Sequence, residues 1–100
     1  MHELNYEGFE KYLRTGYPKI NWADNVQYVF RFDNGFGASI VMGEFTYGGR
    51  DDLWELGVIR IDPRDDTKWD LDYGTEITED VLGYLTDEEV VEYLHKIKGL

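Results

Sequence analysis

The chain has 100 residues, 42% hydrophobic, 16% aromatic and 31% charged, with a formal net charge of −11. That length supports one domain with one core, and the apolar and aromatic content favours a folded globule over a disordered chain. The absence of cysteine removes disulfides, thiolate catalysis and cysteine metal sites. Residues 1–50 carry six acids against five bases, whereas residues 51–100 carry fifteen against five. Such an acidic half disfavours direct contact with nucleic acid or an anionic membrane. No run approaches the roughly 18 apolar residues of a membrane span, and the start lacks the basic-then-apolar pattern of a leader, so a soluble intracellular protein is expected.

In chain order, Asn5 is placed to cap a helix over 6–15, with Tyr6, Phe9, Tyr12 and Leu13 at helical spacing and Gly16 to end it. Gly8 weakens that helix by about 1 kcal/mol relative to alanine. Residues 18–25 read as a connection carrying Ile20 and Trp22 into the core. Two strands follow, 26–33 and 36–43, around Asn34-Gly35. Asn-Gly favours a two-residue type I′ hairpin turn, since both positions need positive φ. That turn sets Phe32 opposite Gly37, Phe30 opposite Ser39 and Tyr28 opposite Val41, with Val29, Ile40 and Met42 on the other face. Apolar residues on both faces call for cover on both, from the terminal helices. The glycines at 35 and 37 do not suggest a phosphate loop, because they lead into a strand rather than a helix.

A third strand spans 53–61, residues 62–67 form a polar turn, and a fourth strand spans 68–73. On the fourth, Trp69, Leu71 and Tyr73 share one face and Asp70 and Asp72 the other. Consecutive strands with short turns favour an antiparallel meander. Thr78 is placed to cap a short helix through Leu82, with Gly83 at its end. Thr86 and Glu89 form a capping box for a last helix, with Val90, Val91, Leu94 and Ile97 as its buried stripe, Lys96 and Lys98 in the last turn and Gly99 as its stop. The expected fold is a single α+β domain over 1–100: a four-stranded antiparallel meander with an N-terminal helix and two C-terminal helices.

Chemistry is sparse. His2 lies at the terminus and His95 on the polar side of the last helix, without the spacing of a metal or catalytic pair. Ser39, the single serine, lies mid-strand without a glycine elbow. Asp62, Asp65, Asp66, Asp70 and Asp72 suggest a calcium or magnesium site. DPRDDTKWDLD lacks the glycine of a calcium loop and contains Arg64 and Lys68, which favours a solvated acidic face. Asp70 and Asp72 on one strand face support an alternative, a small divalent-metal-dependent enzyme. No cofactor is implied. In the loop EFTYGGR, Phe45, Tyr47 and Arg50 form a candidate binding or self-assembly surface, unless both rings tuck back onto the core.

The segments YVFRFDNGFGASIV, LWELGVIR and LDYGTEITEDVLGYLTDEEV resemble a group of small acidic proteins of bacteriophages and prophages. That group shows an FRFDNGYGAS-like hairpin, a WEL strand and a D-Y-x-T-x-I-T-x-D-V-x-G-x-L-T-x-E-E-V ending. The resemblance covers roughly residues 26–94 and carries no functional residue across. It implies the cytoplasm of a bacterial host and an accessory role on host or phage proteins. The resulting expectation is a non-enzymatic protein that binds a basic protein, with a nucleic-acid-mimicking inhibitor of a host defence or nucleic-acid-binding protein as its sharpest form. A self-assembling structural phage component is a further alternative. The expected contact surface joins Asp62, Asp65, Asp66, Asp70 and Asp72 with Asp87, Glu88 and Glu92 of the last helix.

Overall fold

The computed structural model describes residues 3–21, 24–77 and 80–100. His2, Trp22 and Thr78 lie outside the described residues. Among the described residues the strands are β1 (Lys19–Ile20), β2 (Val26–Arg31), β3 (Phe36–Met42), β4 (Trp54–Ile61), β5 (Trp69–Leu71) and β6 (Leu82–Leu85), followed by one α-helix, α1 (Asp87–Lys98). All pair antiparallel in one sheet of order β1-β2-β3-β4-β5, with β6 on the same edge of β4 as β5 but at its opposite end. This corrects the expected architecture: six strands and a single C-terminal helix replace four strands and three helices.

Among the described residues two expected helices do not form, for identifiable reasons. Over 6–15 the chain makes only a single 3-10 turn, Glu10–Tyr12, because Gly8 (φ +94°) and Gly16 (φ +89°) adopt left-handed backbone. So short a helix cannot repay its nucleation cost. The segment instead extends along β2, where Leu13 bridges Phe30 and the Arg14 N–H donates to the Val29 carbonyl at 2.9 Å. Its aromatic residues still reach the core, with Phe9 buried against Phe32 and Tyr6 edge-on to Tyr28 and Phe30. Leu82–Leu85, expected at a helix end, is a strand whose Leu85 and Leu82 pair with Trp54 and Leu56. Three steps of β6 oppose two of β4, so the pair contains a bulge.

The β2–β3 hairpin closes in a different register from the one Asn-Gly suggested. Phe30 faces Ala38 and Tyr28 faces Ile40. The Phe32 N–H donates to the Phe36 carbonyl at 2.9 Å, leaving Asp33, Asn34 and Gly35 as the loop. Of these only Gly35 has positive φ (+86°), which matches a three-residue loop and not a type I′ turn. The Asn34 amide acts elsewhere: it donates to the carbonyls of Ile97 (2.9 Å), Lys98 (3.2 Å) and Leu100 (3.2 Å), satisfying orphan acceptors at the end of α1.

This one-residue shift moves Ile40 and Met42 onto the face of Tyr28 and Phe30. With Trp54, Leu56 and Val58 they form the main core, covered by Val90, Leu94 and Ile97 of α1. The helix starts as its sequence indicates: the Glu89 N–H donates to the Thr86 hydroxyl at 3.3 Å and the Thr86 N–H to the Glu89 carboxylate at 3.1 Å. Among the described residues no helix covers the back face. Val29, Ile59 and Ile61 are covered there by Tyr17 and Trp69, beside a polar relay in which Asn21 donates to Gln27 (2.8 Å) and Gln27 to Ser39 (3.0 Å). Ile20, expected inside, is 71% exposed on the edge strand β1.

Candidate functional site

The predicted acidic residues divide between the two ends of β4. At the Ile61 end, the turn into β5 is built by its own carboxylates. Asp62 accepts from the Arg64 N–H at 2.9 Å, and Asp65 from the Thr67 N–H at 3.0 Å and hydroxyl at 2.5 Å. The Thr67 hydroxyl first, and its N–H second, hold the Asp65 carboxyl below its ordinary pKa. Asp66 pairs with Arg31 at 3.3 Å, while its carbonyl receives the Arg14 guanidinium. Asp72 accepts from the Gly74 N–H at 2.8 Å and from Arg60 Nε at 3.0 Å, and these two contacts, in that order, lower its pKa. Asp70 is exposed and lies opposite Arg60 in the ladder.

Two hollows mark this end. One, of 640 Å³, sets Arg60 and Lys68 among Asp62, Asp70 and Asp72. The other, of 420 Å³, gathers Lys11, Arg14 and Arg31 with Asp33 and Asp66. The carboxylates here are therefore interleaved with cations. Asp70 and Asp72 do not form a shared ligand pair, since Asp72 is committed to Arg60 and Gly74. Among the described residues no group of three or more His, Asp or Glu is arranged to hold a metal ion.

The Trp54 end differs. Asp87, in the first turn of α1, uses both carboxylate oxygens internally: one accepts from the buried Trp54 indole N–H at 2.7 Å, the other from the Asn5 N–H at 3.1 Å. It thereby pins the N-terminal segment beside the helix start. Glu88 and Glu92, one turn apart, are exposed beside it. Three shallow hollows line up here. The first is lined by Asn5, Glu7, Asp87, Glu88 and Val91. The second is lined by Leu4, Asn5, Tyr6, Glu7 and Glu10, and the third by Asp52, Leu53, Thr86, Asp87 and Glu88. No lysine or arginine lines any of them.

Seven residue steps of extended strand separate Trp54 from Ile61, or about 23 Å. The structure thus does not join Asp62, Asp65, Asp66, Asp70 and Asp72 with Asp87, Glu88 and Glu92. It brings Asp87 and Glu88 together with Glu7 and Asp52, and Glu10 in beside Glu7, residues that sequence reasoning missed, while Glu92 lines none of these hollows. Glu7 and Glu10 lie in the nearly neutral half, and the contact that brings them in, Asn5 to Asp87, spans 82 positions.

In the β3–β4 loop, Phe45 and Tyr47 are 67% and 62% exposed, so the rings do not tuck onto the core. Arg50 reaches Glu44 at 3.5 Å rather than the adjacent aspartates. Tyr84 of β6, 58% exposed, joins them: its N–H donates to the Tyr47 carbonyl at 3.1 Å. Elsewhere, His95 is exposed with its ring edge-on to Phe9 at 4.8 Å, and Ser39 serves as acceptor for Gln27. Among the described residues no helix is long and apolar enough to cross a membrane. No protein family, curated protein or solved structure matches the chain.

Proposed function

We propose that the chain is a non-enzymatic protein-binding domain that engages a basic protein through the acidic ridge at the Trp54 end of the sheet. The observation that carries this reading is the row of three hollows, the first sharing Asn5 and Glu7 with the second and Asp87 and Glu88 with the third, none lined by lysine or arginine. The capping box and the Asp87 contacts hold this ridge to a rigid helix and sheet, so its carboxylates keep a fixed spacing. A fixed array of negative charge steers cationic partners and loses strength as salt screens it. The resemblance to phage and prophage proteins supplies the setting of the proposal: an accessory protein that occupies the basic surface of a host or phage protein, as an inhibitor would.

The test is retention of basic proteins from a bacterial lysate on immobilised chain at low and at high ionic strength, repeated with Glu7→Gln/Glu88→Gln/Glu92→Gln. The expected result is capture at low salt that fades at high salt and in the triple variant. Capture that the triple variant leaves unchanged refutes the ridge as the contact.

A further inference from the structure

Among the described residues only three that are not glycine have positive φ: Asp24, Asp52 (+62°) and Tyr84 (+58°). Two of them meet at one place. Asp52 closes the 3-10 turn of residues 49–51, and the Leu53 N–H returns to the Gly48 carbonyl at 2.9 Å. Gly48 in turn lies against the backbone of Tyr84, where an added Cβ would come within 2.9 Å of the tyrosine Cα. Gly83 is closer still to Tyr47, with 2.5 Å left between an added Cβ and the Tyr47 Cβ. Loop and strand are thus interlocked, and the left-handed backbone at position 84 lies within that interlock.

A tyrosine is poorly suited to that backbone. Left-handed residues are glycine, asparagine or aspartate by preference, and a bulky side chain there is a true outlier. Burial of the ring does not compensate, because it is 58% exposed. The fold would accept asparagine or glycine at 84 with less strain, and strain held at an exposed side chain is a mark of a functional surface. Phe45 and Tyr47, more exposed still, stand on the loop that Tyr84 locks.

We infer that Tyr84, Tyr47 and Phe45 form the anchor for an arginine-bearing segment of a protein partner. This rests on the acidic-ridge reading and adds to it the chemistry of the side chain that is recognised. Charge complementarity selects the occupant. The hollow lined by Asp52, Leu53, Thr86, Asp87 and Glu88 opens just beyond β6, and Asp51 and Asp52 are exposed on the loop itself. Arg50, the nearby cation, is engaged by Glu44. Aromatic faces bordered by carboxylates suit a guanidinium, which stacks flat on a ring and is weakly hydrated. They suit a compact, strongly hydrated ammonium less well.

The experiment titrates the full chain with hexa-arginine and with hexalysine at low ionic strength, following the aromatic ring resonances of Phe45, Tyr47 and Tyr84. Hexa-arginine should bind about fivefold more tightly than hexalysine and shift those rings. Tyr84→Asn should bring its affinity down to that of hexalysine while the thermal midpoint holds or rises. Phe45→Ser, which leaves the interlock untouched, should weaken hexa-arginine in the same sense. If hexa-arginine binds Tyr84→Asn and Phe45→Ser as it binds the parent chain, with the rings unmoved, the anchor is refuted and the ridge stands. If neither peptide binds, both readings fall. A drop in thermal midpoint for Tyr84→Asn would show that the ring serves the fold and would overturn the inference. So would a self-associated chain that Tyr84→Asn makes monomeric, since the occupant would then be a second copy.

Discussion

The two ends of β4 carry similar numbers of carboxylates and use them differently. At the Ile61 end the acids are answered locally. Arg31 meets Asp66, Arg60 meets Asp72, and the turn amides take up Asp62 and Asp65. At the Trp54 end one aspartate is spent on the fold, and the glutamates around it line hollows without lysine or arginine. Counting acids along the chain therefore overrates the first end and underrates the second. Field strength depends on which cations the fold brings near, and those arrive from β2, from β4 itself and from the N-terminal segment.

The sharpest break in this comparison is at Asp87. Asp87→Ala removes the acceptor of the buried Trp54 indole N–H and that of the Asn5 N–H, and should cost about 2–3 kcal/mol in urea denaturation. Asp87→Asn, whose amide oxygen can still accept from the indole, should restore most of that. A cost near zero for alanine would mean that Asp87 is not a structural pin.

Next in size is the contrast in binding. Glu7→Gln/Glu88→Gln/Glu92→Gln should weaken hexalysine about tenfold at low salt, with stability within about 0.5 kcal/mol of the parent. Asp65→Asn/Asp66→Asn/Asp70→Asn/Asp72→Asn should alter the same affinity by about threefold or less. Equal losses from the two sets would erase the distinction between the ends.

The converse experiment removes the cations. Arg31→Gln/Arg60→Gln should turn the Ile61 end into a second acidic surface and raise hexalysine binding about two- to threefold. It should cost about 1 kcal/mol of stability, mostly from Arg60, which also lies over the Phe36 ring at 4.5 Å. An unchanged affinity would show that those pairs do not mask the carboxylates.

The smallest effect concerns pH. Asp65 and Asp72 have folded pKa values below the ordinary 3.8. Their contribution to stability is therefore present above that value and disappears as pH falls through the lowered ones. Asp72→Asn should flatten the decline of the melting temperature below pH 4, and an unchanged decline would show that its turn and Arg60 contacts do not act through its charge.

The last helix was legible in the sequence because its signals are local. Thr86 and Glu89 are three positions apart, and Val90, Leu94 and Ile97 repeat at one period, so nearby residues suffice to determine them. The strand-forming character of 26–31, 36–42 and 54–61 could be read for the same reason, from alternating and β-branched or aromatic residues. The neighbouring errors share a cause too. Tyr6, Phe9, Tyr12 and Leu13 have helical spacing, but Gly8 and Gly16 and the open edge of β2 draw the segment into an extended path. Residues 82–85 were decided by the unpaired Trp54–Leu56 edge, nearly thirty positions away.

By itself, then, the sequence determined the capped helix, the three long strands and the excess of negative charge. Only the tertiary structure decided the register at Gly35, the extra strands and which carboxylates meet arginine. It also decided that Glu7 stands beside Glu88 and that Tyr84 is held left-handed against Gly48. Propensity and periodicity act over a turn or two of chain. Charge pairing and edge satisfaction act through space, between residues whose separation in sequence carries no trace of the contact.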